Sequence, residues 1–172
     1  ERMTEELARA KRYGSRFGLM VIDLDNFKLL NDTYGHPVGD EALRWVAEVL
    51  IENTRQTDFV GRHGGDEFVI VFPECGPVEL AGAAAKLQTR LSEKSFEAPD
   101  GSSIPITMSV GVASYPEDGS DANTLIALAD SNLYLSKARG GSTITGAKTE
   151  DESPESVSIF GILGSLITTV DN

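Results

Sequence analysis

The sequence predicts an α+β fold in which helices cover a mixed, five-stranded sheet, and three observations predict it. Short apolar runs alternate along the chain with segments of helical periodicity. Two β-rich runs near the middle are joined by Gly64-Gly65, a hairpin signal. The apolar residues of the later run around 104–115 alternate with a period of two, as a half-buried strand requires.

Taken in order, Glu1–Tyr13 reads as a helix with Met3, Leu7 and Ala10 on one face, and Gly14 and Gly18 frame a break after it. Leu19–Leu24 is a buried strand ending in Asp23-Leu24-Asp25, followed by a helix through Asn31. Gly39–Asn53 is a second helix, with Ala42, Leu43, Val46, Ala47, Val49 and Leu50 at helical spacing. Asp58–His63 and Glu67–Phe72 form the hairpin strands, and Pro77–Glu93 is a long amphipathic helix. Ile104–Tyr115 is a strand, Asn123–Ala138 a helix stopped by Gly140-Gly141, and Thr143–Thr145 a last short strand. The composition then shifts: residues 147–156 read as an acidic, proline-interrupted linker, and 157–172 as an apolar helix, the possible start of a following domain. Residues 1–146 are thus one domain.

A formal net charge of −12 argues against a general nucleic-acid binder, because affinity for a phosphate backbone needs an excess of Lys and Arg. It leaves room for a nucleotide whose charge is neutralised by a carboxylate-bound cation. No stretch approaches the 18 apolar residues of a membrane span, and the charged start excludes a secretory leader in this sequence. The single cysteine, Cys75, fits a reducing cytoplasm and reads as a buried filler.

Two acidic clusters adjoin apolar strands: Asp23-x-Asp25 and Asp66-Glu67. Asp23 interrupts a run that otherwise reads as buried, and a buried carboxylate without compensation is costly, so a metal ligand is the leading reading. Oxygen ligands select a hard cation, Mg²⁺ or Mn²⁺. Asp25 is expected to cap the helix that starts near Asn26. The glycines of the hairpin make a tight turn and leave room for a phosphate to approach the backbone.

The string Gly64-Gly65-Asp66-Glu67-Phe68 is the literal signature of the GGDEF family. Asp23-Leu24-Asp25-Asn26-Phe27-Lys28-Leu29-Leu30-Asn31-Asp32 resembles that family's D-x-D-x-F-K-x-x-N-D segment, and Gly35-His36-Pro37-Val38-Gly39-Asp40 its G-H-x-x-G-D element. The resemblance covers about residues 1–145. It implies a central, mostly antiparallel sheet flanked by helices, like the core of class III nucleotidyl cyclases and the polymerase palm. It also implies a diguanylate cyclase that condenses two GTP into cyclic di-GMP, with two divalent ions per active site.

Residue by residue, the resemblance implies that Asp23, Asp66 and the carbonyl of Leu24 hold metal, with Glu67 at a second ion. The backbone near Phe27, the ammonium of Lys28 and, less directly, Lys137 would meet phosphates. Asn31 and Asp40 would read the guanine edge, against alternatives as helix caps, and His36 would lie near the nucleoside. Asp66, Glu67 and Lys28 would carry catalysis. Arg55-x-x-Asp58 resembles the family's product-inhibition site, against the alternative of a surface ion pair. A homodimer is required, because each domain holds one GTP, and an upstream sensor domain is expected.

Two departures from the family pattern stand out. The L-T-G-L-x-N-R segment that commonly precedes the first helix has no counterpart here, and Gly141 stands where an arginine commonly follows the L-Y-x-A-K stretch. They leave open a module that senses GTP or cyclic di-GMP without turnover, or a purely structural dimerisation module. Residues 166–172 resemble the lead-in helix of HD-type phosphohydrolase domains.

Overall fold

The computed structural model describes residues 2–146. Its elements run α1 (Arg2–Tyr13), β1 (Phe17–Leu24), α2 (Phe27–Tyr34), α3 (His36–Glu52), β2 (Phe59–Arg62), β3 (Glu67–Pro73) and α4 (Pro77–Glu93). Then follow β4 (Ser95–Glu97), β5 (Ser103–Pro105), β6 (Met108–Tyr115), α5 (Ala122–Ala138) and β7 (Ile144–Thr145). A mixed five-stranded sheet in the order β2-β3-β1-β6-β7 forms the centre. Only the β6–β7 pair is parallel; the others are antiparallel. The linker and the apolar segment expected at 147–172 lie outside the described residues. Among those residues no helix is long and apolar enough to cross a membrane.

The period of two along β1 divides the core. Met20, Ile22 and Leu24 pack with α3, α4 and Phe68, Ile70 and Phe72 of β3. Phe17, Leu19 and Val21 face the other way, against Leu7 and Ala10 of α1 and Leu125, Ala129 and Leu133 of α5. Asp23 is the next residue in this second series, so strand geometry alone directs it toward the end of α5. Gly111 of β6 lets α5 approach the sheet closely: a Cβ there would collide with the Ala129 carbonyl and the Leu133 amide and meet Leu133 Cα at 2.9 Å.

The structure differs from the sequence expectations in four places. β1 begins at Phe17, so Gly18 lies inside the strand, under Leu80, and does not mark a break. α3 begins at His36, with Pro37 in its first turn, where a missing N–H is harmless. Asp40 therefore sits inside this helix and is not its N-cap, and Asn31 lies within α2 and is not its C-cap. The run 104–115 is two strands: β5 pairs with β4 in a separate hairpin, and Ile106-Thr107 belongs to neither β5 nor β6. Between the two strands the Thr107 carbonyl accepts from Asp25 N at 2.9 Å and its hydroxyl donates to the Asp25 carboxylate at 2.8 Å.

Candidate active site

The site lies at the carboxyl end of β1. Register pairs Asp23 with Glu67 on β3 and with Ser109 on β6, and the amide of Leu24 donates to the Asp66 carbonyl at 3.2 Å. The hairpin turn thereby brings Asp66 against Asp23. Burial, and then the neighbouring Asp66 carboxyl, push Asp23 up to about 6 from 3.8 against the opposing pull of Lys137. Asp23 Oδ1 is buried without a hydrogen-bond partner. Its nearest countercharge is Lys137 Nζ at 3.5 Å, an ion pair too long to count as a hydrogen bond.

The structure overturns the role expected of Asp25. It does not cap α2, whose N-cap is Asn26 in a left-handed conformation with no side-chain cap bond. Its carboxylate instead accepts from Thr107 Oγ1 at 2.8 Å, Ser109 Oγ at 2.7 Å, the Ser142 amide at 2.8 Å and Lys137 Nζ at 3.2 Å. Those donors hold its carboxyl below the usual range although burial, the largest single influence, acts the other way. Asp25 thus joins β1 to β6 and to the loop after α5. The same carboxylate accounts for Gly141. A Cβ at that position would meet Asp25 Oδ1 at 2.8 Å, and its φ of +79° is one that side chains rarely adopt.

Lys137, expected as a phosphate contact, has its ammonium 3.0 Å from the Leu24 carbonyl as well as on Asp25. Lys28 is exposed on the first turn of α2, beside half-buried Phe27. Asn31 faces inward, its Oδ1 buried and unbonded, whereas His36 and Asp40 are exposed on the first turns of α3. A cavity of about 380 Å³ beside the site is lined by Leu24, Asp25, Phe27, Tyr34, Ile106 and Thr107. It does not reach Asn31 or Asp40.

The oxygens of Asp23, Asp66 and Leu24 form a donor set suited to a hard cation, and the orphaned Asp23 oxygen fits such an ion. Among the described residues no group of three or more carboxylate, imidazole or thiol side chains gathers as a metal site, so Glu67 is not drawn into the pair although it is Asp23's strand partner.

Arg55 and Asp58 stand apart from this cluster, at the other end of β3. The Arg55 guanidinium donates to Asp58 Oδ1 from Nε at 3.2 Å and Nη2 at 2.9 Å, and Nη2 also reaches the Pro73 carbonyl at 2.7 Å. The ion pair named as the plain alternative therefore exists. It borders a cavity of about 500 Å³ lined in part by Glu74, Cys75 and Lys86. Cys75 is buried, as expected, and burial pushes its thiol up to about 11.

Sequence reasoning missed Thr107, Ser109 and Ser142. The signal for the first two was present: polar residues two apart on one strand face, within an apolar run. Ser142 carried none, because it acts through its backbone amide.

The family model for the diguanylate cyclase, GGDEF domain, matches residues 1–143. This chain belongs to the GGDEF domain family. As a GGDEF domain it is 39% identical over 135 residues to diguanylate cyclase DosC of Escherichia coli K12, covering 78% of this chain and 29% of that protein. It is 34% identical over 139 residues to the response regulator PleD of Caulobacter vibrioides, covering 80% and 31%. The chain therefore spans about a third of these relatives' length. Among solved structures it resembles the GGDEF domain of DgcB from Caulobacter crescentus in complex with c-di-GMP, with a TM-score of 0.77, 30% identity and coverage of 84% and 85%. It also resembles the active GGEEF domain of a Vibrio cholerae diguanylate cyclase, with a TM-score of 0.76, 30% identity and coverage of 86% and 92%. The mixed sheet flanked by helices is the nucleotidyl-cyclase palm fold of these domains.

Proposed function

We propose that this domain is a diguanylate cyclase that condenses two GTP into cyclic di-GMP and releases two pyrophosphates. The observation that carries the reading is Asp23, a largely buried carboxylate with an orphaned oxygen, set beside Asp66 of an intact GGDEF turn. Asp23, Asp66 and the Leu24 carbonyl would hold Mg²⁺ or Mn²⁺, with Glu67 assisting at the second of two ions. When bound, such ions acidify the attacking hydroxyl and neutralise charge on the phosphates.

The chain's own groups bind, orient and take up the proton. The amides at the start of α2 near Phe27, with Lys28 and Lys137, hold the phosphates. The orphaned Asn31 oxygen supports guanine reading together with Asp40, since an acceptor pair suits the guanine N1–H and amino group, which adenine cannot match. His36 lies toward the nucleoside. Asp66 accepts the proton of a 3′-hydroxyl. The freed oxygen bonds to the α-phosphorus of the facing GTP, and the bond to the β-phosphate breaks. The 3′-hydroxyl of the facing nucleotide then bonds in the same way to the first α-phosphorus, whose bond to its β-phosphate breaks, and the ring closes with release of the second pyrophosphate. Each domain holds one nucleotide, so two copies face each other. Arg55 and Asp58, beside their cavity, hold product in an inhibitory mode. The domain works in the cytoplasm under a sensor carried by the same protein, as the greater length of the relatives supports.

Gly141 favours a second reading, a module that binds GTP or cyclic di-GMP without turnover, because the position lacks the family's cation. Incubation with GTP and Mg²⁺, followed by chromatography for cyclic di-GMP, separates the two. Wild type is expected to form product and Asp66→Ala none, with an unchanged circular dichroism spectrum; a product-forming Asp66→Ala protein would refute the assignment.

A further inference from the structure

We propose that Lys137 is a resident countercation of the acidic pair, which a divalent ion has to displace from the Leu24 carbonyl and the Asp23 carboxylate. The inference rests on the reading of Asp23, Leu24 and Asp66 as a metal site. The last turn of α5 directs the ammonium at oxygens of three successive residues: Leu24 O at 3.0 Å, Asp25 Oδ1 at 3.2 Å and Asp23 Oδ1 at 3.5 Å. Two of the ammonium's three donors make hydrogen bonds, to Leu24 O and Asp25 Oδ1, and Asp23 Oδ1 is held by charge alone as an ion pair. Two of the three oxygens are assigned to the ion.

A hard cation and an ammonium compete for those oxygens. Mg²⁺ requires its ligands at about 2.0–2.1 Å in near-octahedral array, and its double charge repels a neighbouring ammonium strongly in a half-buried site. Lys137 is suited to yield, being a point charge on a flexible four-carbon stem and about one-third exposed. Asp25 differs from its neighbours. Thr107, Ser109 and the Ser142 amide fix its carboxylate without help from the lysine. It therefore acts as a tether, which keeps the displaced ammonium beside the site and within reach of an incoming triphosphate. Lys137 accordingly has two successive partners: the Asp23 member of the acidic pair and the Leu24 carbonyl first, and phosphate afterwards.

The exchange makes a prediction that a role as phosphate contact alone does not. Mn²⁺ binding without nucleotide, followed by electron paramagnetic resonance of the free ion, is compared in wild type, Lys137→Met and Asp23→Asn. Lys137→Met is expected to bind Mn²⁺ about tenfold more tightly, for removal of one competing charge contact, while binding GTP more weakly. Unchanged or weaker Mn²⁺ affinity in folded Lys137→Met overturns the exchange and leaves the metal site standing. Asp23→Asn is expected to lose Mn²⁺; if it binds as wild type does, the metal-site reading itself fails. Should Lys137→Met not fold, wild-type protein with ¹³C-labelled lysine supplies the same test. Saturation with Mg²⁺ is expected to shift one lysine Cε resonance and leave the others in place, and the absence of any such shift overturns the proposal.

Discussion

Replacing Asp23 by Asn is expected to stabilise the domain while removing its capacity for metal. The folded value of about 6 against 3.8 for an unperturbed carboxyl means that keeping Asp23 ionised at pH 7 costs up to about 3 kcal/mol. Solvent reaches a side chain that is 24% exposed, and screening reduces this to about 1–2 kcal/mol. Since about 1 kcal/mol moves the melting temperature of a domain of this size by roughly 2–4 °C, Asp23→Asn should melt about 2–8 °C higher at pH 7. The sign follows from linkage. The folded carboxyl binds its proton more tightly than the unfolded one, so its penalty is full above pH 6 and disappears as pH falls from about 6 toward 3.8. Urea unfolding at pH 7.5, 6 and 4.5, with chelator present, should show the advantage of Asn shrinking stepwise. Added Mn²⁺ should reverse the order, because an ion that binds only the folded wild type stabilises it by mass action. A variant less stable than wild type at pH 7.5, or an advantage constant across the three pH values, would refute the reasoning.

Two further outcomes follow from the packing. Gly111→Ala forces a methyl against backbone atoms of α5 that cannot rotate away, so it is expected to cost at least about 3 kcal/mol and roughly 10 °C in calorimetry; a loss below 1 kcal/mol would show that α5 rides freely on the sheet. Arg55→Ala is expected to lift inhibition by cyclic di-GMP in a turnover assay while costing only about 1 kcal/mol, because the guanidinium is 55% exposed and Asp58 keeps its bond from the Arg55 amide at 2.7 Å. Unchanged inhibition would remove the site from the proposed function.

The sheet and the helices were legible in the sequence because their periodicities were clean. β1, the hairpin strands and α4 fall within two residues of where apolar spacing puts them. The β4–β5 hairpin was not, since three-residue strands are too short to show alternation; Phe96 anchors it by packing on Trp45, with ring centroids 5.9 Å apart. Asp23 was legible because it breaks an apolar run. Asp25 was misread because a carboxylate before a helix is locally indistinguishable from a cap, and its true donors lie 82 to 117 residues away. Gly141, which reads as a missing charge in the sequence, has a steric cause in the fold: the Asp25 carboxylate fills the space beside it.

The amide of Ser142 reaches Asp25 across 117 residues, and β7 completes the sheet only two residues later. A chain emerging from the ribosome can thus assemble most of its sheet and both halves of its core before the carboxyl end of β1 is secured. Closure waits for the last few residues of the domain. Fragments that stop short of them should resemble the finished domain in helix content yet lack an ordered corner around Asp25.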